Sequence, residues 1–230
     1  MKPSLLLQDD ELEQTSVVAN NTMNRERGLN GVNSYARELS FDPVERLSAL
    51  ERPRWLDLCS GEGIALRMAT AVLPAAAVLT GVDLVGPLSR GAGPGSGDVE
   101  LVTASLTTWA PPVGREYDLI TCVHGLHYLG DKLGVISRAA GWLAPGGLLV
   151  AHLDPTTFRL PDGRPAARAV LRALRTAGFD YDSRRHLLRR EGPLGDCSLP
   201  FAYLGADPEP VPTWTGQPGV ATYVRPLPQA

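Results

Sequence analysis

Short apolar runs alternate with helix-like segments from Arg54 to about residue 154. Each run has the length of a strand and is bounded by Gly, Pro, Asp or Ser. The five runs are Arg54–Leu58, Val78–Val82, Val99–Val102, Tyr117–Val123 and Leu148–Leu153. Because strands that alternate with helices form βαβ units, this pattern predicts an α/β fold with a Rossmann-like, doubly wound parallel sheet.

Three helices are predicted between and after these strands. Ile64–Leu73 ends before Pro74, and Lys132–Leu143 begins after Asp131, whose side chain can cap it. Pro165–Ala177 has apolar residues on one face and arginines on the other, as expected of a helix that packs on a sheet.

The strand signal weakens in the last fifty residues. His186–Arg189, Leu199–Leu204 and Ala221–Val224 are weaker strand candidates, and a proline-rich stretch at 208–218 precedes the last of them. We expect an antiparallel hairpin here to complete a mostly parallel seven-stranded sheet with helices on both faces. Gly91–Gly97 is predicted to be a flexible loop.

The segment before the first strand is different in character. Residues 20–40 are polar and rich in asparagine, with apolar positions too sparse to define a core helix. We therefore expect residues 1–45 to form an N-terminal helical lid and residues 46–230 to form a single domain. Asn24–Arg27 and Asn33–Arg37 are expected to close over the site, although a plain amphipathic helix explains this segment equally well.

Composition limits the classes of function for these 230 residues. Hydrophobic residues make up 43%, but no apolar run approaches the ~20 residues that cross a bilayer, and acids crowd the N-terminus. A soluble, cytoplasmic protein is expected, and the net charge of −3 argues against a nucleic-acid partner. Cys59, Cys122 and Cys197 lack metal-ligand spacing, so neither zinc nor a disulfide framework is expected.

The segment Trp55–Leu66 carries an apolar strand through a glycine-containing turn into a helix. Gly61 and Gly63 would let the backbone approach a ligand at the first turn of that helix. A dinucleotide site requires a third glycine where Leu66 stands. Asp57 would repel a pyrophosphate but attract an amino group, so the turn predicts a ligand that carries a cation there.

Asp83 closes the second strand. In doubly wound nucleotide-binding folds, an acid at this point can accept hydrogen bonds from both ribose hydroxyls. The structural alternative for Asp57 and Asp83 is that each caps the loop after its strand. Asp83 therefore supports a nucleoside ligand without specifying which one.

Five segments together resemble the class I S-adenosylmethionine-dependent methyltransferases of the small-molecule type. The match runs from about residue 54 to residue 154 in the family's order. The segments are LDLCSGEG, GVDL, the ASL after the third strand, YDLITCVHGLHYL and WLAPGGLLVAHLD. The resemblance implies S-adenosyl-L-methionine as the cofactor and methyl transfer as the reaction.

The resemblance also implies a set of cofactor contacts. Ser105 stands where the family commonly has an Asp that contacts the adenine amino group, so this contact would be a weaker, neutral hydrogen bond. The contacts implied are Asp57, Gly61 and Gly63 for the methionine end, Asp83 for the ribose, Leu84, Ser105 and Leu106 around the adenine, and Val123 and His124 near the methyl group. Tyr35 is expected near the same methyl group because its segment is expected to close over the site.

Residues just after the fourth and fifth strands should face the transferred methyl group, because ligands of open parallel sheets bind outside the carboxyl ends of the strands. A histidine there can remove the proton of an OH or NH acceptor near neutral pH. His127 is the first candidate base and His124 the second, while a structural histidine and a mechanism without a base remain open. Asp154 precedes Pro155, where a turn explains it equally well.

The expected function is methyl transfer to an O or N nucleophile of a small molecule, such as a secondary metabolite. No membrane or nucleic-acid partner is expected. Two alternatives remain from the sequence: a non-catalytic cofactor-binding subunit or sensor, and a protein or RNA methyltransferase with the same cofactor site.

Overall fold

The computed structural model of the chain describes residues 5–18, 26–86, 99–195 and 199–228. The strands are β1 (Arg54–Leu58), β2 (Val78–Asp83), β3 (Val99–Thr103), β4 (Tyr117–Cys122), β5 (Leu143–His152), β6 (Phe158–Arg159), β7 (Asp180–Asp182), β8 (Leu187–Glu191), β9 (Phe201–Pro212) and β10 (Pro218–Pro226). The helices are α1 (Asp9–Leu12), α2 (Tyr35–Leu39), α3 (Pro43–Ser48), α4 (Ile64–Ala69), α5 (Lys132–Gly141) and α6 (Ala167–Thr176).

The main sheet has seven strands in the order β3-β2-β1-β4-β5-β8-β7. The first five are parallel, and β8 runs antiparallel to both of its neighbours. This confirms the mostly parallel seven-stranded sheet. Four of the five predicted parallel strands agree with the structure to within one residue at each end, whereas β5 begins earlier, at Leu143.

The hairpin expected to complete this sheet forms elsewhere. Strands β9 and β10 pair antiparallel, but with β6 they make a separate three-stranded sheet, and β7 and β8 complete the main one. Strand β9 also runs into the proline-rich stretch that was expected to separate two strands. Prolines are tolerated there because β9 is an edge strand, on which some N–H groups need no ladder partner.

Both faces of the main sheet are covered by helices, as predicted. Side chains alternate between the faces of a strand, so Trp55 and Leu119 join one buried cluster with residues of α2, α3 and α4. Leu56 and Ile120, their neighbours in sequence, join a second buried cluster with residues of α5 and α6. Among the described residues, the helices are too short or too polar to cross a membrane.

The N-terminal segment is more deeply involved in the core than its polar composition indicated. Leu29, Tyr35 and Leu39 are buried in the cluster beneath α2, which corrects the expectation that this stretch contributes no core helix. Residues 5–18 lie against β9, where Leu7 and Ala206 exchange two backbone hydrogen bonds of 2.9 Å. The predicted Gly91–Gly97 loop, Asn24, Arg25 and Cys197 lie outside the described residues.

Candidate active site

A cavity of about 470 Å³ runs across the carboxyl ends of β3, β2, β1 and β4. This is the edge at which open parallel sheets bind ligands, and the volume suits a nucleoside-sized molecule. Its wall contains eight of the predicted site residues, namely Tyr35, Gly61, Asp83, Leu84, Leu106, Val123, His124 and His127. The wall does not include Asp57, Gly63 or Ser105, which stand behind it.

The two glycines of the turn after β1 have different roles. Gly61 lies on the cavity wall, and its N–H donates a 2.9 Å hydrogen bond to Oδ2 of Asp83. Gly63 has a φ of 68°, and a Cβ at this position would stand 2.7 Å from Cδ2 of Leu101. Gly63 is therefore required for the left-handed turn and for close packing on β3, a structural role rather than the predicted ligand contact.

Asp83 holds the two loops at the centre of the cavity together. Its Oδ2 accepts the Gly61 bond, and its Oδ1 accepts a 3.0 Å bond from the N–H of Val85. The capping role considered from the sequence is thus present. A carboxylate offers about four acceptor sites, so these two bonds are compatible with further bonds to a ligand.

Asp57 is buried behind the cavity and held by two hydroxyl groups. Tyr35 donates a 2.6 Å hydrogen bond to Oδ2, and Thr121 donates another of 2.6 Å to Oδ1. The Thr121 hydroxyl accepts a 2.8 Å bond from the indole of Trp55. Burial raises the pKa of Asp57 to about 7, against the effect of these two hydrogen bonds.

Ser105 is joined to a residue that sequence reasoning did not single out. Its hydroxyl donates a 2.5 Å hydrogen bond to Oε1 of Glu13, at the end of α1, and also lies 2.7 Å from the hydroxyl of Thr107. Glu13 lies on the cavity wall. A carboxylate is therefore present beside Ser105 after β3, and Glu13 of the N-terminal segment supplies it.

All four histidines of the chain gather around Trp214, in the turn between β9 and β10. The ring of His186 stacks on the indole, with centroids 4.5 Å apart and an interplanar angle of 2°. The rings of His124, His127 and His152 lie 5.4, 6.1 and 5.4 Å from it. His124 and His127 follow β4, His152 ends β5 and His186 precedes β8, so the association of all four was not visible in the sequence.

Glu38 makes the main polar contact with this histidine cluster. Its Oε2 lies 3.1 Å from Nε2 of His124, and its Oε1 forms a 2.6 Å ion pair with Arg27. The hydrogen bond with His124 lowers the pKa of Glu38 to about 2, so the carboxylate is ionised. Sequence reasoning missed Glu38, although it lies one helical turn from Tyr35 in α2.

The two candidate bases differ in their surroundings. His127 is 1% exposed, neither of its ring nitrogens has a partner among the described residues, and burial lowers its pKa to about 3. His124 has the carboxylate of Glu38 at Nε2, while its Nδ1 is buried and has no partner in the described part of the chain. Its φ of 61° is unusual for a residue other than glycine.

A metal ion does not fit this cluster well. Glu38, His124 and His152 each offer one ligand atom, and these atoms lie within 4.8 Å of one another. However, the two imidazole rings are stacked, 4.2 Å apart with an interplanar angle of 22°. Their in-plane lone pairs therefore run nearly parallel instead of converging on one ion, as tetrahedral coordination requires. The group is better described as a hydrogen-bonded cluster.

Arg37 and Asp154, two residues of the segments considered from the sequence, stand away from the cavity wall. Arg37 donates to the carbonyl of Val32 and does not reach the cavity wall, where Arg27 lies instead. Asp154 accepts bonds from the backbone N–H groups of Thr156 and Trp214, which favours the turn-forming interpretation. Trp214 covers the histidines from outside the cavity wall.

Comparison with known proteins assigns the class. A family model described as a methyltransferase domain matches residues 32–190, more than half of the chain. The chain therefore belongs to this family, the class I S-adenosylmethionine-dependent methyltransferases. This confirms the resemblance of residues 54–154, the enzyme class and the cofactor.

The chain is similar to a curated relative and to solved structures of methyltransferases. The chain is 26% identical over 187 residues to trans-aconitate 2-methyltransferase of Paracidovorax citrulli (strain AAC00-1), covering 76% of this chain and 71% of that protein. It is 19% identical to the N-methyltransferase NodS of Bradyrhizobium japonicum WM9, with 80% of this chain and 98% of NodS covered and a TM-score of 0.47.

The second solved structure is the plantazolicin methyltransferase BpumL in complex with S-adenosylhomocysteine, 17% identical with a TM-score of 0.37. The match covers 43% of this chain and only 38% of BpumL. Because both TM-scores lie below 0.5, the family assignment depends on the sequence match and not on these two likenesses.

Proposed function

We propose that this protein transfers the methyl group of S-adenosylmethionine to an O or N nucleophile of a small molecule. The proposal rests on one observation: a single cavity contains Asp83 at its centre and His124 and His127 at its β4 end. A nucleoside held at Asp83 and an acceptor held near the imidazoles would share one enclosed space. The curated relative is named for trans-aconitate, a small organic acid, which also supports a small-molecule acceptor.

Asp83, Leu84, Leu106 and Val123 are the residues proposed to hold the nucleoside. Asp83 would accept hydrogen bonds from the ribose hydroxyls, since two backbone N–H groups already fix its orientation. The three apolar side chains would pack on the flat base and the sugar, from the β3 end of the cavity to the β4 end.

The surroundings of Asp57 indicate which part of the cofactor could bind beside it. It is 1% exposed, and its hydrogen bonds come from Tyr35 and Thr121, with no basic side chain of the described residues among its partners. A buried carboxyl group without a cation is costly to ionise, as its raised pKa shows. An amino group placed at the turn beside it would supply the missing charge, so these residues fit the methionine end of the cofactor.

When bound, S-adenosylmethionine supplies an electrophilic methyl group, so the chain's own tasks are positioning, exclusion of water and proton removal. We propose His124, rather than His127, as the residue that takes the proton from the acceptor. Glu38 can accept the Nε2–H of His124, which leaves the lone pair of Nδ1 available as a base. His127 is a weaker base, because burial holds its pKa at about 3.

The N-terminal segment is proposed to act as a lid. Residues 5–18 and 26–39 contribute Leu12, Glu13, Arg27 and Tyr35 to the cavity wall, so a ligand bound there would be enclosed by this segment. Arg27 links the lid to the histidines through Glu38. Entry of the cofactor would then require these contacts to open.

Calorimetry with S-adenosylhomocysteine tests the cofactor half of this proposal. We expect one molecule bound per chain at micromolar concentration, and no heat of binding at high micromolar ligand would overturn the proposal. Incubation of cell extract with methyl-labelled cofactor and the purified protein then tests the acceptor half. Label should pass to small molecules below the cut-off of a dialysis membrane, whereas label only in protein or RNA would contradict a small-molecule acceptor.

A further inference from the structure

The β3 end of the cavity is an apolar slot closed by the N-terminal segment. Leu84 and Leu106 come from the loops after β2 and β3, and Leu12 and Val18 come from residues 5–18. Leu84 packs against the small buried cluster that contains Leu12 and Val18. Because β3 is the edge strand next to β2, this slot lies beyond Asp83 on the side away from the histidines. If the ribose binds at Asp83, the base is the part that enters the slot.

Two carboxylates face this end of the cavity, and the structure distinguishes them. Asp9 is engaged by the Tyr203 hydroxyl at 2.9 Å and by the N–H of Asp131 at 3.2 Å. Glu13 receives one hydrogen bond, on Oε1 from Ser105, and no bond to Oε2 is formed within the described residues. Glu13 is therefore the acidic side chain that is both oriented and able to accept a bond from a ligand.

From this arrangement we infer that Glu13 accepts a hydrogen bond from the exocyclic amino group of adenine and thereby determines the base specificity of the cofactor site. The inference rests on the proposed function. An amino group is a donor that a carboxylate satisfies, whereas the carbonyl oxygen of hypoxanthine would face the same carboxylate and be repelled. Ser105 acts as a positioning residue, because its hydroxyl fixes one oxygen of Glu13.

The source of this carboxylate is unexpected. Glu13 precedes the part of the chain that the family model matches, residues 32–190, and lies 92 residues from Ser105 in the sequence. The bond between them crosses from the N-terminal segment to the loop after β3. The same segment that encloses the cavity therefore carries the group proposed to recognise its ligand.

The test compares the binding of S-adenosylhomocysteine with that of S-inosylhomocysteine, in which hypoxanthine replaces adenine. The wild-type protein should prefer the adenine compound by at least about tenfold, because a partly buried carboxylate opposite a carbonyl is left unsatisfied. In Glu13→Gln this preference should fall to about twofold or less, because an amide can donate to the carbonyl as well as accept. Asp10→Asn removes an exposed acid of the same helix and should leave the preference unchanged.

The outcomes separate this inference from the proposed function. If the wild-type protein binds neither compound, the proposed function fails. If it binds the adenine compound but Glu13→Gln keeps the wild-type preference, only the role of Glu13 is overturned. If Glu13→Gln folds poorly, Ser105→Ala provides a second test. This variant keeps the Glu13 carboxylate but removes the hydroxyl that orients it. The preference should then fall by about threefold, and a wild-type preference in Ser105→Ala would contradict the inference.

Discussion

The hydroxyl of Tyr35 donates a 2.6 Å hydrogen bond to Oδ2 of Asp57, which joins the N-terminal segment to the centre of the sheet. The Tyr35 ring also meets the indole of Trp55 edge to face, with centroids 5.9 Å apart. Tyr35 lies on the cavity wall and Asp57 behind it. Tyr35 therefore connects the cavity wall to the buried carboxyl group.

The first prediction concerns the stability of this pair. Tyr35→Phe should lower the free energy of unfolding by roughly 1–3 kcal/mol, because the buried carboxyl group of Asp57 loses one of its two hydroxyl partners. Urea denaturation followed by circular dichroism measures the change. Tyr223→Phe is the matched control, since no hydrogen bond of its hydroxyl is found among the described residues. Equal losses in the two variants would contradict the assignment.

The second prediction is a pH dependence that arises from Asp57. Its pKa is raised in the native state to about 7 from an ordinary value of 3.8, so between these pH values the native state holds a proton that the unfolded state has lost. Stability of the ligand-free protein should therefore decrease as pH rises from about 4 to about 7. Asp57→Asn should remove this decrease in stability with rising pH. Parallel curves of unfolding free energy against pH for the two proteins would refute the prediction.

Cofactor affinity should have the opposite pH dependence. The amino group of S-adenosylhomocysteine prefers the ionised form of Asp57, so affinity should rise with pH, by at most about tenfold per pH unit below pH 7, and then level off. Calorimetry at pH 6 in buffers with different ionisation enthalpies should detect proton release on binding. No proton release at that pH would show that the carboxyl group does not meet the ligand's charge.

The third prediction tests the ribose contact. Asp83→Asn should weaken binding of S-adenosylhomocysteine by roughly 1–3 kcal/mol, because an amide offers fewer acceptor sites. Asp118→Asn is a suitable control. Asp118 also caps a backbone N–H, that of Arg54, at 2.8 Å, but it is not part of the cavity wall. Equal weakening in both variants would indicate a loss of structure instead of a lost ligand contact.

The fourth prediction concerns proton removal, once an acceptor is identified. His124→Ala should lower turnover by about 10²- to 10⁴-fold for an OH acceptor, with little change in cofactor affinity. His186→Ala, outside the cavity wall, is the comparison variant. Turnover that falls more in His127→Ala than in His124→Ala would restore His127 as the first candidate.

Glu38 can be tested through the pH profile in the same assay. Glu38→Gln removes the negative charge at Nε2 of His124 that would balance the imidazolium formed on proton transfer, so turnover should fall across the pH profile. Glu38→Asp, which keeps the charge, should partly restore the profile. An unchanged profile in Glu38→Gln would leave Glu38 with a structural role only.

The parallel sheet could be predicted from the sequence because its signals are local. A buried strand such as Tyr117–Cys122 is a short, mostly apolar run, and Gly61 and Asp154 stand within three residues after the ends of its neighbours β1 and β5. The extent of β9 could not be predicted in this way, because its prolines are acceptable only on an edge strand, and edge position is a property of the assembled sheet.

The candidate site also contains some residues that the sequence could predict and others that it could not. Gly61, Asp83 and Leu84 stand at or just after strand ends, so the order of strands places them together, and each lies on the cavity wall. Glu13 is one of several acids near the N-terminus and Glu38 lies in a polar segment, and no pattern ties either of them to residues about ninety positions away. Their roles depend on how the N-terminal segment crosses the sheet, which is decided by packing and not by local sequence.

The pairing of Leu7 with Ala206 has a consequence for how this enzyme could be modified. Both partners lie outside residues 32–190, one before that range and one after it. The two ends of the described chain thus pair with each other outside the range that the family model matches. A chimaera that exchanges only one end with a relative should lose this pairing, so it should unfold at a lower temperature than a chimaera in which both ends are exchanged together.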